Sequence, residues 1–463
     1  MKKELILIAA VIISGALLFL SLVEFKNPIS VPGNIEQNMF VIAVGIDKGT
    51  EAEGNYRLTV IGEKFSGESG GSSSSKGKVP DLVSVEGRTM FEVTRNFNLF
   101  KSKSLFWGHI KYILVSEEIA KEDILNVLDF FVRDQELRFN TTVAVVKDIS
   151  AEKFLRVGEK IEKFIPDLLD GVFKNIPRLS ISEQVSLLHV MQDFDSEYSD
   201  SAIPCIGLAT LSKEEVKGGD TMGTAATEES NTKEESSTKE ESGSKKNTGL
   251  LEESGSEEVK PNKEITGDQE LSSKDVIYLD LDGFATFKEE KLLGYITHFT
   301  ARGLNWVKSK VQSGIIVLKH ETEDKDESYI SMEIISADSK IKTTIKDDIP
   351  EATIDIKFST NLGEMMFQED IFDQEQIKKL NEQQNEIVKK EAEDVIEYSQ
   401  KNGIDLLDIS DKIYHQHPVE WEKLKEKWKE TFKTMKITVN VESNINRTYH
   451  VREPIRSDSG EKK

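Results

Sequence analysis

Few residues of this chain combine the type and the spacing that a reaction or a metal needs. His415 and His417 flank one residue, a spacing that suits two metal ligands on one face of a strand. The pair precedes Pro418 at the predicted start of a helix, and the sequence places no further ligands beside it. Because a transition-metal site needs a larger ligand set, we expect no metal here.

A second candidate is a histidine at a predicted turn. His109 follows Gly108 at the start of a strand, and no partner that would activate it as a catalytic base is visible. The alternative is a structural histidine whose ring is satisfied at a strand end. We favour this structural role.

A charged turn follows a predicted helix further along the chain. Arg133 and Asp134 open this turn, and Glu136 and Arg138 continue it. The turn fits an internal ion-pair network, a contact with a partner or a solvated loop. The chain has no phosphate loop, dinucleotide fingerprint, nucleophile elbow or His-Glu zinc helix, so no active site is recognisable.

Length and composition limit the class of protein. At 463 residues the chain is long enough for two to three domains. Its net charge of −23 argues against binding to nucleic acid and against docking on anionic lipid through basic patches. Cys205 is the only cysteine, which excludes an intramolecular disulfide and a cysteine-based metal cluster.

The first residues predict a membrane anchor. After Lys2 and Lys3, residues 5–23 are uncharged and would span about 28 Å as a helix, close to the ~30 Å hydrocarbon core of a bilayer. The lysines favour an orientation with the remaining chain outside the cell. A removed signal peptide is the alternative, although its apolar run would be shorter, at about 7–15 residues. The anchor includes the apolar residues Leu5, Ile12, Leu17, Leu18 and Val23.

The most clearly patterned stretch, residues 87–147, predicts a helix, a strand, a helix and a strand in succession. Thr89 and Glu92 have the spacing of a capping box at the first helix, and apolar residues then recur at helical spacing. Residues 39–46 and 56–65 predict a β-hairpin. We expect the two helices to cover the sheet that contains this hairpin.

A polar segment at 213–274 separates this part from the rest. Residues 211–270 contain 16 acidic and 8 basic residues and a repeated TKEES motif, so the segment cannot bury enough apolar surface to fold and predicts a disordered acidic insertion. Beyond it the pattern predicts a hairpin turning at 288–291, strands at 315–319, 329–336 and 353–359, a helix over 374–400 closed at Gly403, a helix over 418–432 and a final strand at 435–441. Trp421 and Trp428 fall on the apolar stripe of the 418–432 helix, which is typical of a hydrophobic core.

Several short motifs, taken together and in order, resemble the Ger(x)C family, the C subunits of nutrient germinant receptors in endospore-forming bacteria. They are VGID at 44–47, FWGHIK at 106–111, VLDFFVRD at 127–134, GFATFK at 283–288, RGLNW at 302–306, and Trp421, Trp428 and Phe432 before ITVNV at 437–441. The RGLNW segment resembles part of the family's central strands. Family members typically carry a lipid on a cysteine after the signal sequence; this chain has no such cysteine, and we expect the 5–23 helix to replace the lipid.

The resemblance implies an α+β (mixed α/β) fold with three consecutive sheet-and-helix domains. The three domains are expected at 38–175, at 176–312 with the 213–274 insertion, and at 313–450. The anchor and tether at 1–37 precede them, and a tail at 451–463 follows. It also implies no catalysis, no cofactor, and a role in germination through assembly with integral-membrane A and B type subunits in the spore inner membrane. The residues expected to mark the family or to contact a partner are Gly108, His109, Arg133, Asp134, Arg302, Trp306 and Trp428.

Two other functions stay open at this point. The chain fits a membrane-tethered, extracytoplasmic ligand-binding module, which a ligand that raises the melting temperature would reveal. It also fits a tethered cell-wall hydrolase, which would depend on His109, Glu136 or His415.

Overall fold

The computed structural model describes residues 38–50, 55–63, 80–100, 104–161, 165–211, 263–264, 276–321, 327–366 and 374–448. The predicted anchor at 5–23, the tail at 451–463 and all of the predicted insertion except Lys263–Glu264 lie outside these residues. Within the described ranges, no helix has the length and apolarity to cross a bilayer.

Ten of the described strands pair into one mixed sheet. The spatial order along it is β10-β9-β7-β6-β5-β1-β2-β3, with β4 beside β1 and β8 beside β7. The strands are β1 Asn38–Lys48, β2 Tyr56–Glu63, β3 Pro80–Gly87, β4 Ser104–Phe106, β5 Tyr112–Ser116, β6 Thr142–Val146, β7 Ala202–Leu211, β8 Lys263–Glu264, β9 Val276–Lys288 and β10 Lys291–Ile296. The predicted hairpin of β1 and β2 is confirmed as an antiparallel pair.

Helices cover both faces of this sheet. They are α1 Met90–Phe100, α2 Glu117–Glu122, α3 Leu125–Arg133, α4 Ala151–Ile161, α5 Ile165–Asn175 and α6 Leu187–Asp195. Apolar residues of α1, α2, α3 and α6 fill the core on one face, and those of α4 and α5 fill it on the other. The helix–strand–helix–strand order predicted for 87–147 is confirmed, and the second helix region divides into α2 and α3.

The capping box at α1 forms with a shift of one residue. The backbone N–H of Glu92 donates to Oγ1 of Thr89 at 3.1 Å, as expected. The Glu92 carboxylate accepts from the backbone N–H of Arg88 at 2.8 Å, one residue before the donor that a standard capping box uses.

A second sheet of four described strands has the order β11-β12-β13-β14, so β11 and β14 form its two edges. Its strands are β11 Gly314–Glu321, β12 Glu327–Lys346, β13 Ile349–Met365 and β14 Lys436–Thr448, and the associated helices are α7 His298–Val307, α8 Gln374–Asn402, α9 Ile409–Gln416, α10 Pro418–Leu424 and α11 Trp428–Thr434. In β13, buried and more exposed residues alternate, which shows that one face of the sheet packs on the core.

The mixed α+β class is therefore observed, while the division into three domains stays a prediction. Strands β7, β9 and β10, which we expected in a middle domain, continue the sheet that begins with β1. The join is a short parallel pairing of Val145 with Cys205 and of Val146 with Ile206.

Several predicted elements need correction. Residues 302–306 do not form a strand but lie in helix α7. The single helix predicted at 418–432 is interrupted by a 3-10 turn at Lys425–Lys427, and the ring centroids of Trp421 and Trp428 lie 5.4 Å apart on either side of it. Helix α6 begins only at Leu187, because Ser182 and Val185 ahead of it bond to neighbouring strands.

Candidate functional site

Gly108 and His109 occupy the turn that leads into β5. The His109 ring is exposed and packs edge-on against Phe40 at 5.3 Å, with Phe106 at 5.9 Å. We expected a histidine satisfied at a strand end, and the structure gives it aromatic neighbours in a turn. A Cβ atom at Gly108 would lie 2.7 Å from the Phe106 ring, so close packing of this aromatic group favours glycine at 108.

The charged turn after α3 meets the turn of Gly108 through Glu136. Asp134 accepts a hydrogen bond from the backbone N–H of Glu136 at 2.9 Å, which fixes the turn. The Glu136 carboxylate then accepts from the backbone N–H of Trp107 at 3.2 Å. Arg133 pairs with Asp129 of its own helix at 2.6 Å, and both groups are exposed. The structure thus joins the two predicted corners, and the contacts made there hold the fold.

Arg302 and Trp306 converge on one carboxylate that the sequence did not single out. They lie one turn apart on α7 and both donate to Glu391 of α8. Arg302 Nε is 2.9 Å from Glu391 Oε2, its Nη2 bonds Oε1, and Trp306 Nε1 lies 2.9 Å from Oε2. The side chains of Arg302 and Glu391 are each only 5% exposed, so the pair is a buried, bidentate ion pair.

The remaining residues of RGLNW pack α7 in place. A Cβ atom at Gly303 would lie 2.0 Å from the carbonyl oxygen of Glu391, so glycine permits the close approach of α7 and α8. Asn305 Nδ2 donates to the carbonyl oxygens of Ser180 at 2.7 Å and Ser182 at 3.2 Å. The motif therefore ties α7 both to α8 and to the segment before α6.

A groove of about 450 Å³ opens next to this ion pair. Its walls are α7, α8 and the edge strand β11, and Arg302 reaches across to β11, where Nη1 donates to the carbonyl oxygen of Ile315 at 3.0 Å. Phe299 stacks over the Arg302 guanidinium at 5.0 Å. Burial raises the pKa of Asp394, which also lines the groove. The surface includes Phe299, Ile315, Val317, Leu318, Tyr329, Gln383 and Ile387.

Trp428 lies in an aromatic cluster of the hydrophobic core, as its position on the helix stripe predicts. Its ring is buried 5.4 Å from Trp421 and 5.6 Å from Phe432, and Tyr198 packs edge-on against Trp421 at 4.8 Å. The indole N–H of Trp428 finds no hydrogen-bond partner among the described residues. Trp428 therefore lies apart from the groove and packs the helices around it.

The histidine pair does not converge. His415 Nδ1 lies 2.8 Å from the carbonyl oxygen of Asp411 on its own helix, while His417 Nε2 lies 2.9 Å from the carbonyl oxygen of Thr343 on β12. Across the described part of the chain, no three His, Cys, Asp or Glu side chains are grouped as metal ligands would be.

Asp47, within the VGID motif, has a structural role that the sequence did not predict. Its two carboxylate oxygens accept from the backbone N–H groups of Ala151 at 2.7 Å and Glu152 at 2.8 Å, which caps the start of α4. Burial raises the pKa of Asp47 to about 6 despite these two hydrogen bonds. An acidic residue just after an apolar strand was the available signal, but its partner lies 104 residues away.

Taken together, the residues define a two-sheet α+β protein in which the recurring motifs pack helices and fix ion pairs. A family model described as a spore germination protein N-terminal domain matches residues 33–208. A second, described as spore germination B3/GerAC-like, C-terminal, matches residues 282–449. The chain belongs to the Ger(x)C family of spore germination proteins.

Curated relatives from Bacillus subtilis (strain 168) align over nearly the whole chain. Spore germination protein KC is 22% identical over 429 residues, covering 90% of this chain and 91% of the relative. Spore germination protein B3 is 23% identical over 407 residues, covering 86% and 88%. The crystal structure of the GerBC protein superposes with a TM-score of 0.47 at 18% identity, over 89% of this chain and 99% of that one. The relatives support a role in germination.

Proposed function

We propose that this chain is a non-enzymatic, extracytoplasmic subunit of a spore nutrient-germinant receptor. In this proposal residues 5–23 hold it in the spore inner membrane, and its folded part assembles with integral-membrane subunits of the A and B types. It needs no cofactor or metal. Its contribution is a surface on which the receptor is built.

The observation that carries the proposal is the extent of the family match. Both the N-terminal and the C-terminal family domains are present, at 33–208 and 282–449, in one chain and in order. The presence of both domains supports a role in germination like that of the relatives. An 18-residue helix or longer suffices to cross a bilayer, and the uncharged run at 5–23 meets that length.

The positions of the motif residues support a structural role for them over a catalytic one. Arg302, Trp306 and Trp428 are buried in contacts with neighbouring helices. His109 and His415, two candidates for a hydrolase, are exposed on different elements and have aromatic or local backbone partners. Asp411 lies 3.2 Å from His415 Nδ1 on the same helix, but both side chains are open to solvent and neither lines the groove.

Deletion of the gene for this chain tests the proposal. Spores that lack only this chain should lose the response to the nutrient that the receptor recognises, and a plasmid copy should restore it. As the matched control, a restored copy that carries Glu393→Gln, an exposed position on α8, should behave like the wild type. A full nutrient response of the deletion strain to every nutrient that triggers the parent would contradict the proposal.

A further inference from the structure

The groove beside the Arg302–Glu391 pair follows an open sheet edge. Among the described strands, β11 is the outer strand of the second sheet and pairs with β12 alone. Two of its apolar side chains are unusually exposed, Ile315 at 56% and Val317 at 40%. An edge strand with exposed apolar residues is a template for pairing with another strand.

The main chain of β11 also directs hydrogen-bonding groups away from β12 and towards the groove. The carbonyl oxygen of Ile315 accepts from Arg302, and that of Lys319 accepts from Gln383 Nε2 at 3.4 Å, so both point away from β12. Because backbone groups of alternate residues point to the same edge of a strand, the N–H and C=O of Val317 face the groove between these two fixed points. An added strand would pair with Val317.

The opposite wall has the length and character to receive such a strand. From Gln383 to Asp394 three turns of α8 line the groove, a distance of about 16 Å at ~1.5 Å per residue. An extended segment of about five residues spans that length. Its inward side chains would meet Ile387 and Phe299, and the alternate ones would lie with Ile315 and Val317 on the outer face.

Charge determines what kind of segment fits. The groove has no net charge, although the whole chain carries −23. Its lining has three positive and three negative side chains, and the most buried pair already satisfies itself, so the groove favours neither an acidic nor a basic segment. The six groups are Arg302, Lys319, Lys390, Glu386, Glu391 and Asp394.

We propose that this groove receives an extended, uncharged, apolar segment of an integral-membrane receptor subunit, which adds to β11 as a fifth strand. Main-chain hydrogen bonds to Val317 supply the affinity, and the pockets beside Ile387 and Phe299 supply the selectivity. The proposal rests on the proposed function, since it takes the membrane subunits as the partners.

The test compares Val317→Lys with Ile335→Lys in the full chain. Ile335 is 42% exposed on the neighbouring strand β12 and does not line the groove, so it is a matched control. Each variant is tagged, expressed in spores and recovered in detergent together with the A and B type subunits. We expect Val317→Lys to lower the yield of the membrane subunits at least tenfold, and Ile335→Lys to leave it at the wild-type level, with equal melting temperatures.

The outcomes separate the two proposals. If the wild-type chain recovers no membrane subunit, the proposed function fails and this inference with it. If the wild-type chain and Val317→Lys recover them equally, the inference is overturned while the proposed function stands. A change in the sedimentation of the purified chain alone on Val317→Lys would identify a second copy as the occupant and would also overturn it.

A second measurement covers the case in which Val317→Lys does not fold. A photo-reactive benzoylphenylalanine replaces Val317 in one strain and Ile335 in another. Irradiation of spores should crosslink position 317, and not position 335, to an A or B type subunit identified by its peptide masses. Absence of that product at 317 alongside normal co-purification would overturn the inference.

Discussion

Removing the charge of Glu391 should destabilise the protein more than any other single charge change on α8. In Glu391→Gln the side chain keeps its shape but loses the charge opposite Arg302, and one of its two oxygens becomes an N–H donor. That amide would face the Arg302 or Trp306 donors that now bond the carboxylate.

The magnitude follows from the burial of the pair. The side chains of Arg302 and Glu391 are each 5% exposed, so water cannot take over the lost interaction. Breaking a buried pair by removing one partner typically costs about 3–5 kcal/mol, because the remaining charge is left uncompensated. We expect Glu391→Gln to lower the free energy of unfolding by that amount.

Urea unfolding of the purified full-length chain in detergent, followed by tryptophan fluorescence and circular dichroism, measures the effect. The matched control is Glu393→Gln, two residues along the same helix, where the carboxylate is 55% exposed and lies 3.7 Å from Lys389. An exposed pair of this kind contributes about 0–1 kcal/mol, so the control should shift the midpoint little.

A double variant sharpens the test. When both partners are replaced by apolar residues of similar size, no buried charge is left, and such changes are often neutral or stabilising. Arg302→Met with Glu391→Leu should therefore be more stable than Glu391→Gln alone. Equal midpoints for Glu391→Gln and Glu393→Gln, or a double variant less stable than Glu391→Gln, would refute the assignment of a buried charge pair.

Three further predictions follow. Replacing Leu17 and Leu18 by Asp should release the chain from spore membranes into the soluble fraction, because a charge at the bilayer centre costs several kcal/mol; fractionation and immunoblotting measure this, and continued membrane binding in a strain without partner subunits would contradict it. Burial raises the pKa of Asp47 from 3.8 to about 6, so folding favours its protonated form. This preference contributes about 3 kcal/mol to the free energy of unfolding below about pH 4, and the contribution is lost as the pH rises through 6. The urea midpoint of Asp47→Asn should therefore depend less on pH between 4 and 7.5 than that of the wild type, and parallel curves would contradict the shift. Alanine at His109 and at His415 should leave nutrient-triggered germination at the wild-type rate. Loss of the response in variants that still fold would contradict the non-enzymatic assignment.

Local patterns predicted the elements whose determinants lie close together in the sequence. The stretch 87–147 has apolar residues at helical spacing, and Val127, Leu128 and Phe131 are all buried as their spacing requires. The hairpin at 288–291 is confirmed with Glu289 at a φ of 56° in its turn, and α8 ends before Gly403, which has a φ of 65°. In each case turn or cap chemistry acts within a few residues.

The errors occur where a partner distant in sequence decides the structure. The sequence of 302–306 does not show the pattern of an amphipathic helix, because its polar residues Arg302 and Asn305 are buried. Their hydrogen-bond partners are Glu391, about 90 residues away, and Ser180 and Ser182, about 125 residues away. Glu391 itself is one acidic residue among many in a charged helix. Spacing within a helix indicates which face is apolar, but it does not reveal a carboxylate that a second helix will enclose.

The same reasoning explains the candidate site. The sequence identified Arg302 and Trp306 as motif residues, and the structure shows that one carboxylate joins them. The groove beside them was not predictable, because it depends on β11 lying at the edge of its sheet with α8 across from it. Strand order in a sheet is set by long-range pairing that no local pattern records.

Co-purification from dormant spores tests the receptor-subunit assignment most directly. The tagged full-length chain is recovered from detergent-solubilised inner membranes, and the A and B type subunits are quantified by mass spectrometry against an unrelated tagged membrane protein from the same spores. The assignment predicts that both subunits are recovered with the chain in a constant ratio across preparations. Recovery of the chain alone, with both subunits present in the membranes, would contradict it.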